Sequence, residues 1–167
     1  MGQTDENLKE AFAGESQANR KYTAFAEKAA KEDFAQVARL FRAAAAAEAV
    51  HALNHLKVMG GVESTLENLR DAAAGEAAEF KKMYPQFIEQ AEREGNEGAK
   101  RTFDYANQVE EIHHDLYSRA IEAVEAGEDM PQADVYVCRG CGNTVEGEPP
   151  DKCPICGAPK KWFDRIE

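Results

Sequence analysis

Apolar residues recur at the spacing of an α-helix through most of the first 126 residues. Short polar or glycine-containing stretches interrupt this pattern three times and divide the region into four long segments. The predicted helices run from about Thr4 to Lys31, from Asp33 to Gly60-Gly61, from Ser64 to Gly95 and from Asn96 to about Ala126. Four long helices with short links predict an antiparallel four-helix bundle.

Local signals mark where the helices begin and bend. Asp33 and Gln36 form a predicted capping box at the start of the second helix, and Ser64 and Glu67 form another at the start of the third. Pro85 should kink the third helix, because proline has no N–H to donate and its ring crowds the preceding turn.

A glutamate interrupts the apolar stripe of every predicted helix. On the second and fourth helices a histidine follows the glutamate three residues later, so both side chains lie on one face and can reach one ion. The resulting candidate ligands are Glu15, Glu48, His51, Glu76, Glu110 and His113. The alternative is that these are solvated glutamates and ordinary core histidines.

An internal repeat relates the first helix pair to the second. Ala-Gly-Glu at residues 13–15, followed by Tyr22, is echoed by Ala-Gly-Glu at residues 74–76, followed by Tyr84. The separation from each Ala-Gly-Glu to the next Glu-x-x-His nearly agrees, so a pseudo-two-fold axis would bring the motifs together in the middle of the bundle. Each tyrosine either packs in the core or donates a hydrogen bond to a ligand carboxylate.

Carboxylates in a helical core predict metal ions. Buried carboxylates without partners cost several kcal/mol each, and no Lys or Arg stands at these positions to pair with them. One Glu from each of two helices and Glu-x-x-His from each of the other two is the ligand set of ferritin-like di-iron and di-manganese proteins. Mixed carboxylate and imidazole ligands suit Fe(II) or Mn(II), whereas zinc is usually satisfied by four ligands.

Glu79 breaks the repeat, because Ala18 stands at the matching position of the first helix. It adds a fifth carboxylate and a seventh candidate ligand; the alternative is an exposed helix glutamate. His55 and His114 are expected at the surface or behind the ligands rather than among them.

Composition excludes several classes of function. The chain has 167 residues, 43% of them hydrophobic, and a formal net charge of −11, so binding of DNA or RNA is not expected. No apolar run approaches the roughly 18 residues that span a bilayer, so no membrane association is expected. The polar start is unlike a signal peptide, and we expect a cytoplasmic protein.

Prolines and cysteines concentrate near the C-terminus. Five of the six prolines and all four cysteines lie beyond residue 130, and residues 126–131 read as a helix stop followed by a linker. We therefore expect two domains, a four-helix bundle in residues 1–130 and a small metal-bound domain in residues 131–167.

Two Cys-x-x-Cys-Gly motifs lie in the second domain, with the cysteines Cys138, Cys141, Cys153 and Cys156. Disulfides are the alternative, but paired motifs of this kind in a cytosolic chain favour a metal held by four thiolates. A segment this short needs such support, because it buries little core. Tetrahedral sulfur ligation suits zinc, which would make the site structural, or iron, which would make it a one-electron carrier.

The whole chain resembles the rubrerythrin family, a ferritin-like di-iron four-helix bundle followed by a small rubredoxin-like β/loop domain. The matching stretches are residues 11–18, Glu48 to His51, residues 75–85, Glu110 to His113 and both cysteine motifs. Asn143 is a departure, since many members carry an aromatic residue there. This departure leaves the four thiolates in place, but it bears on how that metal centre packs and on its reduction potential.

The resemblance implies a role for each candidate residue. Two non-haem irons are bound by Glu15, Glu48, Glu76, Glu79, Glu110 and His113. His51 exchanges with Glu79 on one iron as the redox state changes, which makes Glu79 and His51 the catalytic pair. Tyr22 and Tyr84 lie near the cluster. The four cysteines bind one iron, which zinc can replace in a recombinant sample.

The resemblance also implies a function and partners. The expected activity is reduction of hydrogen peroxide to water in protection against oxidative stress, with electrons from a donor protein such as a rubredoxin or an NAD(P)H-dependent reductase. A homodimer is expected. If the linker holds the cysteine domain away from its own bundle, electrons would pass to a neighbouring subunit. The alternatives are an O₂-using ferroxidase or iron-storage protein, and a zinc-binding module without enzyme activity.

Overall fold

Long helices and a small sheet make up the chain, as the apolar pattern predicts. The computed structural model describes residues 2–167, which form two compact units, one ending at Glu63 and one spanning Ser64–Glu167. Among these residues, no helix combines the length and the apolar character needed to cross a membrane.

The first unit is an antiparallel helical hairpin of α1 (Gln3–Lys31) and α2 (Ala35–Val58). Small side chains bring the two helices close together, since its buried residues are alanines such as Ala26, Ala38 and Ala45. The Asn19 side chain donates to the Ala45 carbonyl across the hairpin at 2.7 Å.

The predicted capping box at Asp33 and Gln36 is wrong. Asp33 has a φ of 64° and ends α1 instead of beginning α2. Its N–H donates to the Ala30 carbonyl at 3.3 Å and the N–H of Phe34 to the Ala29 carbonyl at 2.9 Å, which is the bonding of a Schellman motif. Asp tolerates this left-handed conformation better than most residues do.

The second unit begins with α3 (Thr65–Ala78), a π-helical turn (Glu79–Met83) and α4 (Tyr84–Arg93), which pack against α5 (Glu97–Glu125). The capping box of Ser64 and Glu67 is confirmed in both directions. Asn96 caps α5 by accepting from the Ala99 N–H at 3.0 Å.

Pro85 lies in the first turn of α4, and the turn before it is π-helical. The sequence predicted a kink in one continuous helix. A wider turn gives another solution, because it makes room for the proline ring, which would otherwise crowd the carbonyl of Lys81. The π-turn begins at Glu79, the residue that breaks the internal repeat.

A three-stranded antiparallel sheet follows α5, with β1 (Val135–Cys138) between β2 (Thr144–Glu146) and β3 (Phe163–Ile166). Its small core contains two of the cysteines, Cys138 and Cys153, together with Ala158 and Phe163. The fold class is confirmed: long helices of the ferritin-like type followed by a small cysteine-rich sheet domain.

Candidate metal centres

The first unit brings Glu15 of α1 together with Glu48 and His51 of α2. One ligand atom from each residue lies within 4.8 Å of the others. His51 Nδ1 is 2.8 Å from Glu48 Oε2 and 4.0 Å from Glu15 Oε1. These three side chains, named the first triad here, offer two carboxylates and one imidazole to a single ion.

The second unit repeats this arrangement with Glu76 of α3 and with Glu110 and His113 of α5, named the second triad. His113 Nδ1 is 2.9 Å from Glu110 Oε2 and 3.8 Å from Glu76 Oε1. The i, i+3 spacing sets the short distance in both triads, because it is fixed within one helix.

Aromatic rings repeat beside the two triads. Tyr22 lies 6.3 Å from Phe25 and 6.2 Å from Phe41, and Tyr84 lies 6.3 Å from Phe87 and 6.2 Å from Phe103. The two phenylalanines of each cluster are 5.5 Å apart. The internal repeat predicted from the sequence is therefore present in the local structure of both helix pairs, and both tyrosines pack against aromatic rings.

Glu76 of the second triad carries an electrostatic penalty. Burial, and then the neighbouring charge of Glu110, raise the pKa of Glu76. Burial also raises the pKa of Tyr84, with further contributions from Glu79, Glu110 and Glu76. A cation among these oxygens would remove the repulsion, so the donor set fits a divalent metal ion.

Glu79 lies close to the second triad without joining it. Its charge acts on Tyr84, but its oxygens are not grouped with those of Glu76 and Glu110. The side chain is half-buried and lines a shallow pocket together with Lys82 and Met83.

The two remaining histidines lie outside both triads. His114 Nδ1 is 3.0 Å from the Ala73 carbonyl oxygen, and its ring lies 5.6 Å from that of Phe80. His55 is half-buried near the end of α2.

The four cysteines converge as both motifs predict. Cys138 Sγ lies 3.7 Å from Cys156 Sγ, and Cys141 Sγ lies 3.6 Å from Cys153 Sγ. A disulfide would need about 2.05 Å. A regular tetrahedron with metal–sulfur bonds of about 2.3 Å has edges of roughly 3.8 Å, so the four sulfurs fit a single zinc or iron ion.

Backbone groups prepare these sulfurs for a metal. Burial raises the pKa of the Cys141 thiol. Burial also acts to raise that of Cys153, but the N–H groups of Cys156 and Ile155, together with hydrogen bonds from the Cys141 and Cys156 side chains, outweigh it and lower the pKa of Cys153 to about 7. Gly140 is needed for close approach, since a Cβ there would lie 3.0 Å from Cys156 Sγ.

Asn143 is the most unexpected residue of the cysteine domain. Its side chain is only 1% exposed, and Nδ2 donates to Cys153 Sγ at 3.7 Å. The sequence singled out this position as a departure from the family without indicating the bond. Asn143 thus contributes a hydrogen bond to one of the four sulfurs.

The cysteine domain also contacts α5 of its own chain, so the linker does not hold it away from that helix. Thr144 Oγ1 lies 2.9 Å from His113 Nε2, and Arg119 on α5 pairs with Glu146 at 2.6 Å. Sequence analysis missed Thr144. The only feature that marks it in the sequence is that it is a polar residue directly after Asn143, where the first cysteine motif is followed by β2.

Comparison with known proteins agrees with both kinds of site. Residues 6–121 match the family model described as rubrerythrin, and residues 136–164 match the model described as rubrerythrin, rubredoxin-like domain.

Similar proteins extend over nearly the whole chain. Rubrerythrin-2 of Clostridium acetobutylicum is 34% identical over 96% of this chain and 95% of its own length. Nigerythrin of Nitratidesulfovibrio vulgaris is 38% identical over 98% of this chain and 86% of its own length. A solved structure of nigerythrin in its fully reduced, all-ferrous state covers 99% of this chain and 88% of that one, with 38% identity and a TM-score of 0.57. With both of its domains matched and these relatives alike along their length, the chain belongs to the rubrerythrin family.

Proposed function

We propose that this protein is a peroxidase that reduces hydrogen peroxide to water. The observation that carries the proposal is the presence, in one chain, of two Glu/Glu/His triads of nearly equal geometry and a four-sulfur site. The family to which the chain belongs has a di-iron-type Glu/His site and a metal site of four cysteines, and the chain contains both sets of side chains. The identity of the individual ligands and the substrate are part of the proposal.

The proposed di-iron ligands are the two triads and Glu79. Each triad has the donors that Fe(II) accepts, and each leaves positions open for a small oxidant. When bound, a di-ferrous pair supplies the two electrons that break the O–O bond of peroxide, and an iron at the four cysteines resupplies them singly.

Glu79 and His51 are the proposed exchanging ligands. Ferric iron prefers a hard anionic oxygen, whereas ferrous iron tolerates neutral imidazole. Glu79 lies in a π-turn outside the second triad, and the side chain of His51 is 53% exposed, so both side chains have room to move. Tyr22 and Tyr84 are proposed to stabilise the carboxylates from outside the ligand set.

A Glu79→Ala variant tests this role. Iron content should be retained, because both triads remain, and peroxide turnover should fall about 10-fold or more, as for other residues that tune a metal site. Glu111→Ala is the matched control, since this exposed glutamate is also on a helix beside a ligand residue. Unchanged turnover at full iron loading would remove Glu79 from the mechanism.

Steady-state assays with peroxide and with O₂, at controlled iron loading, test the reaction itself. Rapid peroxide turnover with slow O₂ consumption is expected. The reverse would identify a ferroxidase, and a colourless protein would identify zinc at the four cysteines. The proposed reductant is a rubredoxin or an NAD(P)H-dependent reductase in the cytoplasm, and protection against oxidative stress is the proposed role.

We further propose that the protein acts as a homodimer. Support comes from large apolar side chains exposed on α2, among them Leu40 at 69% and Val58 at 72%. Exposed apolar surface of this kind marks interaction sites. Leu40→Glu should shift the mass measured by sedimentation velocity toward the monomer, whereas Arg39→Glu, an exposed control on the same helix, should not. A monomeric wild type would refute the dimer.

A further inference from the structure

The two ring nitrogens of His113 face different parts of the second unit. Nδ1 lies 2.9 Å from Glu110 Oε2, among the carboxylates of the second triad. Nε2 lies 2.9 Å from the hydroxyl oxygen of Thr144, in the cysteine domain. One imidazole therefore contacts both the second triad and the cysteine domain.

The Thr144 hydroxyl has two partners at hydrogen-bond distance. It lies 3.1 Å from the Gly142 carbonyl oxygen, which can only accept, and 2.9 Å from His113 Nε2, so it can donate to Gly142 while it accepts an N–H at Nε2. With a metal ion in the second triad, Nδ1 would give its lone pair to the metal in place of its contact with Glu110, and Nε2 would carry the proton that Thr144 accepts. A histidine that binds a metal commonly donates its other N–H in this way.

Thr144 is connected to the first cysteine motif through the Gly142 carbonyl. Gly142 directly follows Cys141, and its own N–H donates to the Cys138 carbonyl at 2.8 Å. Gly142 also packs against α5, since a Cβ added there would lie 3.7 Å from Val109. The first cysteine motif and the imidazole of His113 are thus connected by covalent and hydrogen bonds alone.

We propose that Thr144 is a positioning residue, which holds His113 with Nδ1 turned toward the second triad and couples the cysteine domain to that triad. This rests on the proposed function where it concerns electron transfer. An electron passing between irons held at the two sites would leave a ferrous ion at the cysteines and reduce a ferric ion at the triad, with no bond made or broken. The contact between Thr144 and His113 does not depend on that activity.

The decisive variant is Thr144→Val, which keeps the shape of the side chain and removes the hydroxyl. Thr144→Ser restores the hydroxyl, and Thr102→Val is a control at an exposed threonine of α5. The first readout is long-range ¹H–¹⁵N NMR of the zinc-substituted full chain, which is diamagnetic. The second is metal affinity in a chelator competition.

Wild type, Thr144→Ser and Thr102→Val should show a slowly exchanging His113 Nε2–H, and Thr144→Val should lose it. Metal affinity at the Glu/His site should fall about 10-fold in Thr144→Val alone. An Nε2–H equally protected in Thr144→Val would overturn the proposal. If the loss of Nε2–H protection is seen while the iron-loaded wild type fails to reduce peroxide, the peroxidase function fails and the positioning role stands.

Discussion

Asn143 donates a hydrogen bond to a ligand sulfur from inside the core of the cysteine domain, so Asn143→Leu should lower the reduction potential of an iron held there. Hydrogen bonds to thiolate sulfur spread its negative charge and favour the reduced, more negative centre. Leucine has a similar volume and no donor. The bond from Nδ2 to Cys153 Sγ is lost, and the four ligands are unchanged.

The size of the shift follows from the strength of one such bond. A neutral hydrogen bond contributes about 0.5–1.5 kcal/mol net. For a one-electron couple, a tenfold change in equilibrium constant is about 59 mV, or about 1.4 kcal/mol. If the bond acts mainly on the reduced form, the potential should fall by roughly 20–60 mV.

Spectroelectrochemical titration of the visible absorption of the ferric cysteine site measures this potential in the full chain. Val145→Ala is the control, because Val145 packs against the same core without a bond to sulfur. Iron content and near-UV circular dichroism establish that each variant is folded. An unchanged or raised potential in folded, iron-loaded Asn143→Leu would refute the reasoning.

Two further predictions concern a helix start and a close contact. Ser64→Ala removes the acceptor for the Glu67 N–H at 3.3 Å and should destabilise the protein by about 1 kcal/mol in urea unfolding; an unchanged midpoint would contradict the capping box. Gly140→Ala places a Cβ 3.0 Å from Cys156 Sγ and should weaken metal binding at the cysteines in a chelator competition, whereas Gly14→Ala, with nothing within 4 Å, should not.

Helix bounds were predictable where a single residue decides them. Gly60 and Gly95 adopt φ values of 71° and 66° at the expected helix ends, as glycine does without steric cost. Asp33 has two local options, capping the next helix or ending the previous one, and the sequence does not rank them. The choice depends on bonds back to Ala29 and Ala30, which are made only once α1 has formed.

The triads were predictable because their short distances lie within one helix. A Glu-x-x-His pair fixes its own geometry, and the apolar stripe around it indicates which face is turned inward. The response to Pro85 was not predictable in the same way. Crowding by the proline ring predicts a disturbed helix but not the form of the disturbance, and in the structure the turn before Pro85 is π-helical and begins at Glu79.

Contacts between elements lie beyond the reach of the sequence pattern. No periodicity or motif marks Thr144, because its role depends on how the cysteine domain docks on α5. This contact also makes two otherwise matching histidines different. Within residues 2–167, the ring contacts of His51 are at Nδ1, to Glu48 and Glu15, whereas His113 is also held at Nε2.

That difference bears on the proposed exchange of a histidine ligand. The side chain of His51 is 53% exposed and that of His113 is 27% exposed. A ligand held at both ring nitrogens must break two contacts to move, whereas His51 must give up only those on the metal side. The duplicated helix pair supplies equivalent candidate ligands, and Glu79 and Thr144 make the two halves unequal. This asymmetry favours His51 as the ligand proposed to exchange and His113 as the fixed one beside the cysteine domain.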